Sequence, residues 1–165
     1  MEIIVRKATL DDAASIYDII QEAFTKYQED LNTDTKVAAL CETVEDIKRD
    51  IECKRVLIAH LGNIPVGTIR YEIKADGTAY LSRFGVRPAY QKYGAGTALM
   101  RALEQDAEKN GATAIVLHTA LKMKHLIGFY QHMGYYVVST SDDTGYIRAL
   151  LRKPLQQQAE AVSPS

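Results

Sequence analysis

Cysteine is scarce in this chain, ligand spacing for a metal is missing, and neither sign of charge dominates. Only Cys41 and Cys53 occur. With no CxxC pair and no Cys/His spacing around them, neither a disulfide framework nor a zinc site is indicated. The 20 Lys and Arg against 21 Asp and Glu leave a net charge of −1 and are scattered along the chain. That balance speaks against nucleic acid or an anionic membrane as the main partner. Apolar runs stay far below the length of a membrane span, and residues 1–7 interleave charges with apolar residues, so the expectation is a cytoplasmic protein. Internal repeats are also lacking. What remains is 165 residues, 47% hydrophobic and 25% charged, which suits one globular domain with a sizeable core. Its expected limits are 1–155, because 156–165 is polar, lacks periodicity and reads as a disordered tail.

Local patterns alternate between strand and helix. A strand over 3–8 leads to Thr9-Leu10-Asp11-Asp12, whose side chains suit a helix start, and Ile16, Ile19, Ile20, Ala23, Phe24 and Tyr27 then recur at helical spacing. Residues 29–42 hold no period and read as a lid or a solvated connection before a short helix over 43–52. Strands over 55–60, 64–73 and 78–86, separated by Gly62-Asn63 and Ala75-Asp76-Gly77, form an antiparallel meander. A helix with Ala98, Leu99, Ala102, Leu103 and Ala107 inside follows, stopped by Gly111, and then a strand over 114–118. A strand, a crossover helix and a strand imply that 78–86 and 114–118 run parallel. Another helix ends at Gly134, and strands over 136–139 and 146–151 close the domain.

The informative stretch is Phe84-Gly85-Val86-Arg87-Pro88-Ala89-Tyr90-Gln91-Lys92-Tyr93-Gly94-Ala95-Gly96-Thr97. Pro88 ends a strand, two glycines follow, and a helix starts. The first turn of a helix leaves backbone N–H groups unpaired at the positive end of its dipole, and glycines let an anion approach them closely. The amides from Gln91 to Thr97 could therefore cradle a diphosphate. A P-loop would place Lys and Ser or Thr after the second glycine, and a dinucleotide fingerprint would need a third glycine where Leu99 stands; both are missing. An ordinary strand-to-helix turn would use the same residues without a ligand.

The string Gln91-x-x-Gly94-x-Gly96 after Val86-x-Pro88 resembles the acetyl-CoA pyrophosphate loop of the GCN5-related N-acetyltransferases, the GNAT family. Phe129-Tyr130-x-x-x-Gly134-Tyr135 resembles that family's second signature, and the likeness extends over residues 3–155. It implies the α/β acyl-CoA N-acyltransferase fold, a mixed α+β sheet of about seven strands with four helices. The implied co-substrate is acetyl-CoA, held by Phe84, Gly85, Val86, Gln91, Lys92, Tyr93, Gly94, Ala95, Gly96, Thr97, Met123 and Tyr130. The acceptor would be a small-molecule or peptide amine, and a homodimer stays open.

Acetyl transfer to an amine asks for three things. An oxyanion donor is needed, for which the family uses the backbone N–H near Val86. The leaving thiolate benefits from a proton, and Tyr130 occupies the family's general-acid position; a tyrosine there could equally contact the sulfur without transferring a proton, or simply pack in the core. The ammonium of the acceptor must lose a proton before attack. Many family members place a glutamate where this chain has Tyr80, so the base is unassigned among Glu72, Tyr80, His118 and a water relay. Met123 stands where the family commonly has an asparagine, and methionine donates no hydrogen bond to a pantetheine arm. These two departures motivate an alternative function, a non-catalytic acyl-CoA-binding regulatory module. Tyr17, Tyr27, Tyr71, Tyr80 and Tyr146, with Asp30 and Asp34, are expected to border the acceptor cleft.

Overall fold

The computed structural model describes residues 2–155; the expected tail at 156–165 lies outside the described residues. Strand β1 (Ile3–Lys7) passes through a 3-10 turn (Leu10–Asp12) into helix α1 (Ala13–Leu31), which runs four residues beyond the point where the apolar period fades at Tyr27. Leu31 explains the extension: it is buried with Val37, Ala120 and Met123, and Asn32 then ends the helix in the left-handed conformation. A second 3-10 turn (Ala38–Cys41) precedes α2 (Val44–Cys53). Thr43 caps α2 reciprocally: its Oγ1 accepts from the Asp46 N–H at 3.1 Å, and Asp46 Oδ2 accepts from the Thr43 N–H at 2.9 Å. That cap fixes the chain direction at Glu42, whose carboxylate turns inward.

The meander follows as β2 (Arg55–Leu61), β3 (Ile64–Ile73) and β4 (Thr78–Val86), then a third 3-10 turn (Pro88–Tyr93) and α3 (Ala95–Lys109). The chain closes with β5 (Ala114–Ala120), α4 (Lys124–His132), β6 (Tyr136–Ser141) and β7 (Arg148–Pro154). The last strand starts later than expected. Arg148 opposes Ala120, the final residue of β5, so Tyr146 has no ladder partner and stays in the loop.

All seven strands form one sheet in the order β1-β2-β3-β4-β5-β7-β6. Among the described residues only β4 and β5 run parallel, as a crossover through α3 requires. One face of the sheet sends Leu57, Ile69, Tyr71, Leu81, Ile115 and Leu117 against Leu99, Met100 and Leu103 of α3. The other sends Val56 and Ile58 against Ile16, Ile19 and Ile20 of α1 and Ile47 of α2. Because α1 and α2 cover the β1–β4 side, the same face of β5 and β7 is left open beside them.

A buried ion cluster anchors that covered side. Arg70 of β3 is 0% exposed and donates to Glu42 at 2.8 and 3.1 Å and to Asp50 of α2 at 2.8 Å. Charges withdrawn from water demand this kind of pairing. Glycine permits a second close approach: a Cβ on Gly85 would sit 2.9 Å from the Cβ of Ala23, so α1 rests directly on the β4 backbone.

Candidate active site

The site begins with a flaw in β4. Thr68 faces Gly85 and Arg70 faces Ser82, so Ile69 alone opposes both Arg83 and Phe84. This is a bulge, and Arg83 carries it at φ +51°. Bulges bend a strand, and β4 accordingly stays with β5 for only three pairs, Thr78–Ala114, Ala79–Ile115 and Tyr80–Val116. Beyond Tyr80 the two parallel strands part like a fork.

A cavity of about 450 Å³ occupies that fork. Tyr80, Arg83, Phe84, Gly85 and Val86 line it from β4, and His118 and Thr119 from β5. Phe24, Tyr27 and Asp30 of α1 close one side, Leu126, Phe129 and Tyr130 of α4 another, and Tyr146 with Arg148 a third. Tyr27 also ties the cavity wall together, since its hydroxyl accepts the Ala120 N–H at 2.9 Å.

Gln91 and Gly96 bring the glycine turn to the cavity edge. Gly94 sits at φ +83°, where a side chain is strained, and it precedes α3 as a cap without a side chain. The N–H groups of Ala95, Gly96 and Thr97 at the first turn of α3 are therefore not engaged by any capping group. A Cβ on Gly94 would meet nothing within 4 Å, so the turn that leads into these amides is open. Such a cradle fits a diphosphate. Lys92, Tyr93 and Gly94 are exposed around it, whereas Ala95 is buried under the helix and Thr97 half-buried. Met123 is 4% exposed, packs with Leu31, Val37 and Ala120, and gives the cavity an apolar wall where an amide would have offered a donor.

Tyr130 is 5% exposed, with ring centroids 6.3 Å from Phe84, 5.6 Å from Phe129 and 5.9 Å from Tyr135. Its hydroxyl makes no hydrogen bond among the described residues. Burial pushes its ionisation well above the ordinary tyrosine range, so it is a held proton without an internal acceptor.

Tyr80 and His118 come together: the Tyr80 hydroxyl and His118 Nδ1 lie 2.7 Å apart across the first open rung of the fork. Burial, followed by the charge of Arg148, lowers the His118 pKa and favours the neutral imidazole. Glu72 does not join them. It pairs with Lys74 at 2.9 Å and Lys54 at 3.1 Å on the outer surface and does not line the cavity.

The expected tyrosine border is corrected in two places. Tyr71 opposes Leu81, so it points to the α3 face, where its hydroxyl donates to Asp106 at 2.7 Å. Tyr17 packs with the α1–α2 core, and neither Tyr17 nor Asp34 lines the cavity. Arg83 and Arg148 were missed altogether, because no motif marks them and only the bulge and the β5–β7 register bring them to the fork.

A sequence profile of the acetyltransferase (GNAT) family matches residues 13–135. The chain belongs to this family. Among relatives, the uncharacterized protein YyaT of Bacillus subtilis is 36% identical over 88 residues, covering 53% of this chain and 56% of that one. The uncharacterized N-acetyltransferase YjcF of the same organism is 29% identical over 101 residues, 61% of this chain and 67% of its own length. The match thus spans little more than half the length of the curated relative YyaT. Among solved structures, the PaiA N-acetyltransferase of Thermoplasma acidophilum in complex with coenzyme A superposes with a TM-score of 0.81 at 19% identity, covering 93% of this chain and 99% of that one. The fold is therefore the acyl-CoA N-acyltransferase fold, and acetyl-CoA is the co-substrate of the family. Among the described residues no helix is long and apolar enough to cross a membrane.

Proposed function

We propose that the protein is an N-acetyltransferase that moves acetyl from acetyl-CoA to a primary amine by direct attack on the thioester. One observation carries the reading: the uncapped, glycine-headed start of α3 opens onto a cavity that holds an unpartnered tyrosine hydroxyl and a coupled Tyr80–His118 pair. Acetyl-CoA supplies the activated acyl group. The amides of Ala95, Gly96 and Thr97 hold its diphosphate, with Lys92 and Tyr93 flanking them, and Phe84 and Met123 bound the arm that enters the fork. The backbone at Val86 serves the oxyanion, and Tyr130 offers its proton to the departing thiolate. His118, kept neutral and held by Tyr80, accepts the proton of the incoming ammonium, directly or through water.

The test is thiol release from acetyl-CoA across a panel of amines, with calorimetric titration of CoA on the same sample. Saturable turnover on one amine class is expected. CoA binding without turnover on any amine would make the protein a regulatory CoA-binding module instead. Gly94→Glu, which adds strain and negative charge at the cradle, is expected to abolish CoA binding while the fold persists, since a Cβ there meets no protein atom within 4 Å.

A further inference from the structure

The charges that line the cavity are unevenly settled. Lys26 and Asp30, one turn apart on α1, satisfy each other at 2.9 Å. That leaves two guanidinium groups, Arg83 and Arg148. Neither makes a hydrogen bond among the described residues, and the Nε of each is shielded from water. Arg83 Nε lies 3.4 Å from Glu42, a carboxylate it shares with the two closer contacts from Arg70. Among the described residues Arg148 pairs only with Asp143, at 3.7 Å, whose side chain is 73% exposed. The two cations also stand on opposite banks: Arg83 on the bulge of β4, Arg148 on β7, which pairs with β5.

We propose that the acceptor is a small amine that also carries a carboxylate, an amino-acid-like substrate whose anion is clamped by Arg148 from one bank and Arg83 from the other. This rests on the acetyltransferase reading above. The chemistry is specific, because a bare ammonium entering between two guanidiniums that lack hydrogen-bonded partners is repelled, whereas a carboxylate matches their planar donor forks. The sheet register sets the scale. His118 opposes Leu150, and Arg148 lies two residues from Leu150 on the same strand face, so the base and the anion site are diagonal neighbours with Cβ atoms about 7 Å apart. Amine and carboxylate of the acceptor are therefore separated by a short spacer, not by a peptide's length.

The experiment compares matched acceptors, each amino acid against its carboxamide and its decarboxylated amine, in wild type, Arg148→Gln and Arg83→Gln. Acceptor KM, acetyl-CoA KM and acceptor binding to the CoA-loaded protein by calorimetry are all read. Wild type should favour the carboxylated member by about 10- to 100-fold in kcat/KM, the worth of a charge-assisted bidentate contact. Arg148→Gln should erase most of that preference through acceptor KM, leave acetyl-CoA KM unchanged, and be partly rescued in Arg148→Lys. Equal use of the carboxamide, or a change confined to acetyl-CoA KM, would overturn the clamp while leaving the transferase reading intact. Binding of amino acids without turnover would support the clamp and refute the transferase. Neither binding nor turnover of any carboxylated amine would overturn the clamp, and with other amines also inert, both readings together.

Discussion

Two arginines on one sheet live in opposite circumstances. Arg70, on the covered side, is wholly buried and spends its terminal nitrogens on three carboxylate contacts with Glu42 and Asp50. Arg148, at the fork, is partly exposed and has one distant, solvated carboxylate. Tyrosines divide the same way. The hydroxyls of Tyr71 and Tyr135 donate to Asp106 at 2.7 Å and Glu104 at 2.9 Å, whereas that of Tyr130, which lines the cavity, has no hydrogen bond among the described residues. Groups that find partners within the chain hold the fold. Groups left without them, in a cavity, are the ones available to a ligand.

Four substitutions or titrations break or sharpen this contrast. Arg70→Ala removes the hydrogen-bonded partner that Glu42 and Asp50 share and should lower the unfolding free energy by about 3–5 kcal/mol, read as a shift of the denaturant midpoint. An unshifted midpoint would mean that water reaches the cluster freely. Tyr130→Phe should cut kcat by about 100-fold, the usual scale of general-acid catalysis, while CoA affinity and the melting temperature barely move. Unchanged turnover would strip the residue of its acid role. Tyr71→Phe supplies the mirror case: it loses a hydrogen bond to a charged group and should cost about 1.5–3 kcal/mol of stability with kcat intact. The Tyr71 hydroxyl, pushed up to about 12 by burial and then by Asp106, stays protonated throughout the accessible pH range and adds no titration of its own.

The smallest effect is a displacement of the pH profile. His118 has a lowered pKa, so its neutral form survives to more acidic pH than that of an ordinary histidine, and the acid limb of kcat/KM should fall below the usual 6.5. Removing the Arg148 charge takes away one of the two causes of that lowering. In Arg148→Gln the acid limb should therefore move upward, toward 6.5. A limb that stays put in this variant, or that is unaffected by His118→Gln, would point to another base.

Much of this arrangement was legible beforehand. The turn at Gly94 and Gly96, the Phe129-Tyr130 helix and the parallel β4–β5 pair each have local signals: punctuation by glycine and proline, helical spacing, and a crossover of the right length. Other features depend on register, which no single stretch encodes. The bulge lacks a glycine to announce it, since Arg83 itself adopts the positive φ. Tyr80 meets His118 only because Tyr80 pairs with Val116, two residues short of it along β5. Grouping Tyr71 with Tyr80 failed for a related reason: with Tyr71 opposite Leu81 and Tyr80 opposite Glu72, the two tyrosines fall on opposite faces of the sheet. The length of α1 was underestimated because its last turn is held by Met123 and Ala120, long-range neighbours that periodicity does not show.

The left-handed backbone at Arg83 ties durability to selectivity. A side chain held there costs on the order of 1 kcal/mol relative to glycine, and the fold bears that cost at a bulge position that lines the cavity. Exchanging the arginine for glycine would relax the strand and discard the guanidinium in the same step. A search for hardier variants of this chain would therefore reach Arg83→Gly early, and each such gain in robustness would be matched by blunted discrimination among acceptors.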